Sequence, residues 1–194
     1  MEILFSDSNL TVCVKPVGLD SEHQVPEQLS QALSGDFYPV HRLDKNVGGV
    51  MVFARNQKAA AALSRSIQDG AMVKEYLALV HGTPPQEGEL QDLLFKDSRK
   101  NKVFVVKKKR AGVKEARLAY TCLNRQDPCL LQVRLYTGRS HQIRVQFGSR
   151  GFPLVGDHKY GARDDEKLPF LYSFRLSFPY KGQVTTFESK PNWA

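Results

Sequence analysis

Short apolar runs separated by polar turn residues dominate the chain. Ile3-Leu4-Phe5 and Leu10-Thr11-Val12-Cys13-Val14 read as strands around a turn at Ser6-Asp7-Ser8-Asn9, and Lys15-Pro16-Val17-Gly18 closes the second. Val50 to Ala54 is apolar at every position, the pattern of a strand buried on both faces. Val73 to Val80 predicts a strand with Lys74, Tyr76, Ala78 and Val80 on one side. Ala119 to Leu123 and Leu130 to Leu135 read as a pair around Asn124 to Cys129, and Leu171 to Phe178 and Val184 to Phe187 as two late strands around Pro179-Tyr180-Lys181-Gly182. Helical spacing is clearest after Asn56, a capping residue, where Ala59, Ala60, Leu63 and Ile67 share one face before Gly70. Pro26 to Leu33, closed by Gly35, predicts a short helix. Ser140 to Ser149 predicts another, with Ile143 and Phe147 together and Gly151 past its end. Many short strands with a few helices predict one α+β domain over 1–194.

Composition narrows the class. With 194 residues, 41% hydrophobic and 25% charged, the chain has the usage of a globular protein with one sizeable core. Its longest apolar stretches fall far short of a membrane span, and its first residues lack a secretory pattern. Cys13, Cys122 and Cys129 are an odd count without CxxC spacing, so neither a disulfide framework nor a zinc ribbon is expected. A cytoplasmic protein is the resulting expectation. The five histidines are scattered without HxxxH or HxH spacing, so no metal site is predicted.

Charge is distributed unevenly. Between Lys96 and Arg117 lie ten of the 28 basic residues and only two of the 20 acidic ones, so the rest of the chain, with 18 of each, is neutral. The whole surplus of +8 therefore sits in one segment. It flanks the apolar run Val103-Phe104-Val105-Val106, which predicts a projecting β-ribbon with a cationic rim. Such a strip suits a polyphosphate backbone, because each neutralised phosphate releases counterions. A membrane partner is disfavoured, since no basic amphipathic helix accompanies the strip.

Three concentrations of reactive side chains stand out. His41-Arg42-Leu43-Asp44 precedes the buried strand. Lys74-Glu75-Tyr76 lies in the strand 73–80. Thr137-Gly138-Arg139-Ser140-His141-Gln142-Ile143-Arg144 opens the expected helix, where backbone N–H groups favour anions. Each also has a structural reading, as a satisfied turn, a core aromatic and a helix cap. No GxSxG elbow is present, and Gly156-Asp157-His158-Lys159-Tyr160-Gly161 lacks the spacing of a phosphate loop.

In this order and spacing the motifs resemble the RluA-type family of RNA pseudouridine synthases. Lys15-Pro16-Val17-Gly18 matches its Lys-Pro-x-Gly element, residues 41–44 its HRLD signature, Lys74-Glu75-Tyr76 its K-x-Y element, Gly138 to Arg144 its GRxHQIR element and Pro153 to Gly161 its PLxGDxxYG element. Val47-Gly48 stands where the family usually has Thr-Ser, which leaves the hydrogen bonding of the Asp44 loop to the structure. The resemblance implies a pseudouridine synthase-like catalytic domain with a mixed, largely antiparallel sheet flanked by helices. No separate N-terminal RNA-binding domain is expected ahead of residue 15.

The resemblance also implies the chemistry. Pseudouridine formation breaks the uracil–ribose C–N bond, turns the base and rejoins it through carbon, an isomerisation for which no cofactor or metal is expected. Asp44 is the implied essential carboxylate, as nucleophile or base. Arg139 is implied as its cationic partner and Tyr76 as the pocket aromatic against uracil. Arg42 corresponds to the residue that fills the stack when the uridine flips out. Expected RNA contacts are His41, Arg42, Lys107, Lys108, Lys109, Arg110, His141 and Arg144, with ribosomal or transfer RNA as partner and a monomer as the working state. The alternative is an RNA-binding protein that keeps the fold without catalysis. A uridine glycosidase fits less well, because hydrolysis enlists two carboxylates and HRLD supplies one.

Overall fold

In the computed structural model, which describes residues 1–194, the chain runs β1 (Glu2–Ser6), β2 (Leu10–Lys15), α1 (Gln24–Leu33), β3 (Tyr38–Pro39), β4 (Gly48–Ala54), α2 (Gln57–Gln68), β5 (Val73–Val80), β6 (Glu87–Asp97), β7 (Lys102–Val106), β8 (Val113–Cys122), β9 (Cys129–Leu135), α3 (Gln142–Gly148), β10 (Leu171–Tyr180) and β11 (Gln183–Glu188). Strands with few helices make an α+β chain, as the pattern predicts. The residues divide into two compact units, Met1–Lys74 with Tyr172–Ala194, and Glu75–Leu171.

The first unit is organised around β4, which is buried at all seven positions. It pairs antiparallel with β2 (Val12 opposite Val52) and parallel with β10 (Ser173 opposite Gly49), while β1 extends β2 and β11 extends β10, both antiparallel. One face of these strands, with Leu10, Val12, Val50, Val52, Leu176 and Phe178, is covered by α2 through Ala59, Ala60, Leu63 and Ile67. Asn56 starts α2 as predicted, its Oδ1 accepting from the Ala59 N–H at 2.8 Å. Gly49 is required where β4 meets β10. Its φ is +124°, and a Cβ there would lie 2.2 Å from the Ser173 carbonyl oxygen.

In the second unit the strand order is β5-β9-β8-β6-β7, with β9–β8, β8–β6 and β6–β7 antiparallel. Val145 of α3 packs on Leu94, Val103 and Ala116, the inward positions of β6, β7 and β8. Strand β6 is absent from the expectations above because only Leu90 and Leu94 of its eleven residues are buried, so polar positions mask its alternation. Helix α3 begins two residues later than expected. His141 sits in the left-handed region at φ 50° and interrupts the helix before Gln142. The helix start therefore lies at Gln142, two residues past Ser140. No helix is long and apolar enough to cross a membrane.

Candidate active site

Asp44 lies on the loop that leads from β3 into β4, and that loop is fastened from below by the loop after β2. The Lys15 side chain is completely buried, and its Nζ donates to the carbonyls of Pro16 (3.0 Å), Leu19 (2.8 Å) and Lys45 (3.2 Å). The Gly18 N–H donates to the same Lys45 carbonyl at 2.8 Å. Ser21 Oγ donates to the Leu43 carbonyl at 3.0 Å, and the Leu43 N–H returns a bond to that hydroxyl at 3.3 Å. The Val47 N–H closes a turn on the Asp44 carbonyl at 2.9 Å. Each peptide flanking Asp44 is thus tied to a named partner, and the residue itself is half-buried. Burial pushes the Lys15 ammonium down to about 8, while Asp20 and Asp44 pull it back up. Val47, in place of a hydroxyl residue, contributes an apolar side chain 2% exposed, so packing and backbone bonds hold the loop.

His41 serves the same loop. Its Nε2 accepts the Val52 N–H at 3.1 Å, while its Nδ1 is sealed from solvent. An acceptor nitrogen must be unprotonated, and burial, reinforced by the Lys74 charge, pushes the imidazole down to about 3. His41 is therefore neutral, and its ring anchors β4. The folded state resists a proton that the unfolded chain takes up near 6.5, so stability is full above that pH and is lost as pH falls toward 3, by up to about 1.4 kcal/mol per pH unit. Thermal unfolding from pH 7.5 to 4.5 should show this loss. His41→Gln, which keeps an acceptor but does not titrate, should show a flatter profile over the same range. Arg42, by contrast, is exposed and ion-paired with Glu22 at 3.2 Å.

In the second unit, Tyr76 lies buried on β5, on the same side as Ala78 and Val80, as the alternation predicts. Arg139 is exposed and its Nε donates to the Glu115 carbonyl at 2.9 Å. Gln142 shapes the turn that presents it. Its Oε1 accepts from the Arg139 N–H (3.0 Å) and Thr137 Oγ1 (2.7 Å), and its Nε2 donates to the Arg117 carbonyl (3.1 Å).

The GRxHQIR and PLxGDxxYG elements turn out to be each other's partners. Arg144 Nε and Nη2 grip the Asp157 carboxylate at 2.6 and 2.8 Å, with both side chains buried. The Arg144 guanidinium also lies 5.2 Å from the centre of the Tyr160 ring. The Tyr160 hydroxyl bonds His141 Nδ1 at 2.8 Å and accepts the Val103 N–H of β7 at 2.9 Å. Arg144 and His141 therefore brace the second unit. Arg144 is not placed to meet RNA, because burial has committed its charge to Asp157.

The basic ribbon forms as expected. β6 and β7 pair from Leu93–Val106 to Asp97–Lys102, and Asp97 Oδ1 accepts the Arg99 and Lys100 N–H groups to close the tip. Lys107, Lys108, Lys109 and Arg110 are exposed on the connection to β8, with Lys109 paired to Glu115 at 2.9 Å and Arg110 lying 4.8 Å from the Phe95 ring centre. No group of three or more His, Cys, Asp or Glu side chains is gathered for a metal ion. Lys15, Ser21 and Gln142 were not among the expected site residues, although Lys15 and Gln142 lie within the Lys-Pro-x-Gly and GRxHQIR elements. A lysine that ends an otherwise apolar strand is a second signal for Lys15.

Comparison with known proteins agrees with the resemblance. A family model described as RNA pseudouridylate synthase matches residues 9–149. The chain is 31% identical over 205 residues to the dual-specificity RNA pseudouridine synthase RluA of Vibrio vulnificus, covering 99% of this chain and 80% of that one. It is 32% identical to an uncharacterized RNA pseudouridine synthase of Aquifex aeolicus, over 97% of this chain and 68% of the relative. It spans 61% of the ribosomal large subunit pseudouridine synthase D of Nitrosomonas europaea, at 31% identity. In fold it is similar to the human RNA pseudouridylate synthase domain containing 1, with a TM-score of 0.84, 23% identity, and coverage of 100% of this chain and 84% of that one.

Proposed function

The chain belongs to the RNA pseudouridylate synthase family, a family of isomerases acting on RNA, and from that premise we propose that it converts a uridine of ribosomal or transfer RNA to pseudouridine, with Asp44 as the essential carboxylate. The observation that supports this reading most is the set of bonds from Lys15, Gly18 and Ser21 that fixes the peptides on either side of Asp44. Plain RNA binding does not require a rigidly held acid. A carboxylate that must meet one atom of a sugar or base does, because misplacement of about 1 Å costs on the order of a hundredfold in rate. Tyr76 is assigned the uracil ring, and Arg139 the balancing of charge that develops at the uridine as the glycosidic bond breaks. Arg42, exposed and held only by a surface ion pair worth little in water, is free to swing into the stack that the flipped base vacates. A monomer working in the cytoplasm belongs to the same reading.

The test is release of tritium from carbon 5 of labelled uridine in bulk RNA from cells lacking the modification. Mass spectrometry runs beside it, since isomerisation leaves the mass unchanged and base loss does not. Absence of tritium release by the intact chain on ribosomal and transfer RNA alike would favour the alternative, a protein that binds RNA without catalysis.

The ribbon is assigned the RNA backbone. Reversing the charge of Lys107, Lys108, Lys109 and Arg110 should weaken affinity across RNA sequences and flatten its salt dependence by roughly 0.7 to 0.9 in log–log slope per lost phosphate contact. A slope equal to that of the wild type would return these residues to a merely solvated face.

A further inference from the structure

Where β9 ends beside the middle of β8, the second unit carries an aromatic–cation stack that the proposed reaction leaves unused. Tyr136 follows β9 directly and is 44% exposed. The guanidinium of Arg117 lies 4.7 Å from its ring centre and that of Arg134 5.5 Å. The Arg117 side of this stack is held in place. The Arg117 carbonyl accepts the Tyr136 and Thr137 N–H groups at 3.1 and 3.3 Å, and its own N–H donates to Thr137 Oγ1 at 2.9 Å, which sets the ring beside the guanidinium. Glu89 then grips that guanidinium through Nε at 3.2 Å and Nη2 at 3.0 Å, fixing its plane.

The register shows which face this stack belongs to. Leu94 and Ala116 point to α3, so their alternates Phe95, Glu115 and Arg117 point to the opposite face, where Phe104 stands across from Phe95. On that one face lie Phe104, 37% exposed, the Arg110–Phe95 pair and the Arg117–Tyr136–Arg134 stack. Aromatic rings alternating with guanidinium groups offer flat, weakly hydrated surface, and with Arg117 matched by Glu89 its positive charge comes from Arg110 and Arg134. That is the chemistry that takes the π-face of an unpaired nucleobase while drawing its phosphates. The charge surplus of the chain ends at Arg117, and Arg139 stands three residues beyond Tyr136.

We propose that Tyr136, flanked by Arg117 and Arg134, is a stacking platform for an unpaired base of the RNA, a contact separate from the grip of the ribbon on the backbone. The platform rests on the reading that RNA is the partner. It places a nucleotide near the turn that presents Arg139, so that the strand around the target uridine is held by stacking as well as by charge. Because stacking accepts any base, the platform adds affinity for single-stranded RNA and little preference for sequence.

The test uses the full chain and a fluorescein-labelled single-stranded RNA of about twelve mixed-sequence nucleotides, followed by anisotropy over a salt series. Tyr136→Ala should weaken binding about tenfold with an unchanged salt slope, because a ring carries no charge, and Tyr136→Phe should bind as the wild type does. Arg134→Ala should weaken binding and also flatten the slope, by up to roughly 0.7. A 2-aminopurine base in the oligonucleotide should be quenched by the wild type and by Tyr136→Phe but much less by Tyr136→Ala. Tyr136→Ala that binds as the wild type does, or a wild type that leaves 2-aminopurine unquenched, overturns the platform and returns the stack to an ordinary surface contact. Tritium release by the wild type is measured in parallel. Release with an unaffected Tyr136→Ala overturns the platform alone, whereas loss of binding in Tyr136→Ala without any release supports the platform and removes the reaction.

Discussion

Asp44→Asn is expected to abolish pseudouridine formation, with tritium release falling by about three orders of magnitude or more, while RNA affinity stays at the wild-type level. The substitution keeps the size and shape of the side chain and removes only its negative charge. The bonds that hold the loop come from Lys15, Gly18 and Ser21 to the backbone at Leu43 and Lys45, and from Val47 to the Asp44 carbonyl, and none of them is altered. The ribbon and its cationic rim are untouched as well. A loss confined to turnover therefore identifies the carboxylate as the reacting group. If Asp44→Asn released tritium at the wild-type rate, the assignment of Asp44 would be wrong, whatever its fold and RNA binding.

Arg144→Ala is expected to be the most damaging single change to stability, at about 3–5 kcal/mol. Asp157 has a side chain 1% exposed and Arg144 one 8% exposed, so removing the guanidinium strands a carboxylate that water cannot reach. In a chain of this size each kcal/mol moves the midpoint by roughly 2–4 °C, so a fall on the order of 10 °C is the expected reading in thermal unfolding. The double variant Arg144→Ala/Asp157→Ala should recover part of the loss, since no unpaired charge is then left inside. If Arg144 instead met RNA, its removal would leave the midpoint unchanged and reduce the salt slope of binding. Measuring both quantities on one protein separates the two roles.

The strands of the first unit were legible because their signal is local. Seven consecutive buried residues over 48–54 leave an apolar run that no exposed element tolerates, and Asn56 before an apolar face marks the start of α2 wherever it occurs. The ribbon was legible for the same reason, since ten basic residues within 96–117 need no distant partner to be noticed. Helix α3 starts two residues later than the pattern predicts because His141 takes a left-handed backbone, with its side chain bonded to Tyr160, nineteen residues away.

The alternation of strands, the capped helix, the location of the positive charge and the order of motifs that places the chain in its family are all written along the chain. Each of these is a property of neighbouring residues, written at a period of two or 3.6 or as a contiguous run. What the polar members of those motifs do was set by folding. It buried Lys15 beneath the Asp44 loop, committed the ring of His41 to the backbone of β4 and the guanidinium of Arg144 to Asp157, and set Arg117 and Arg134 against the Tyr136 ring. The same lysine, histidine or arginine is inexpensive in water and costly inside unless its charge and hydrogen bonds are met, so its role depends on partners supplied by residues that the chain brings near only when it folds.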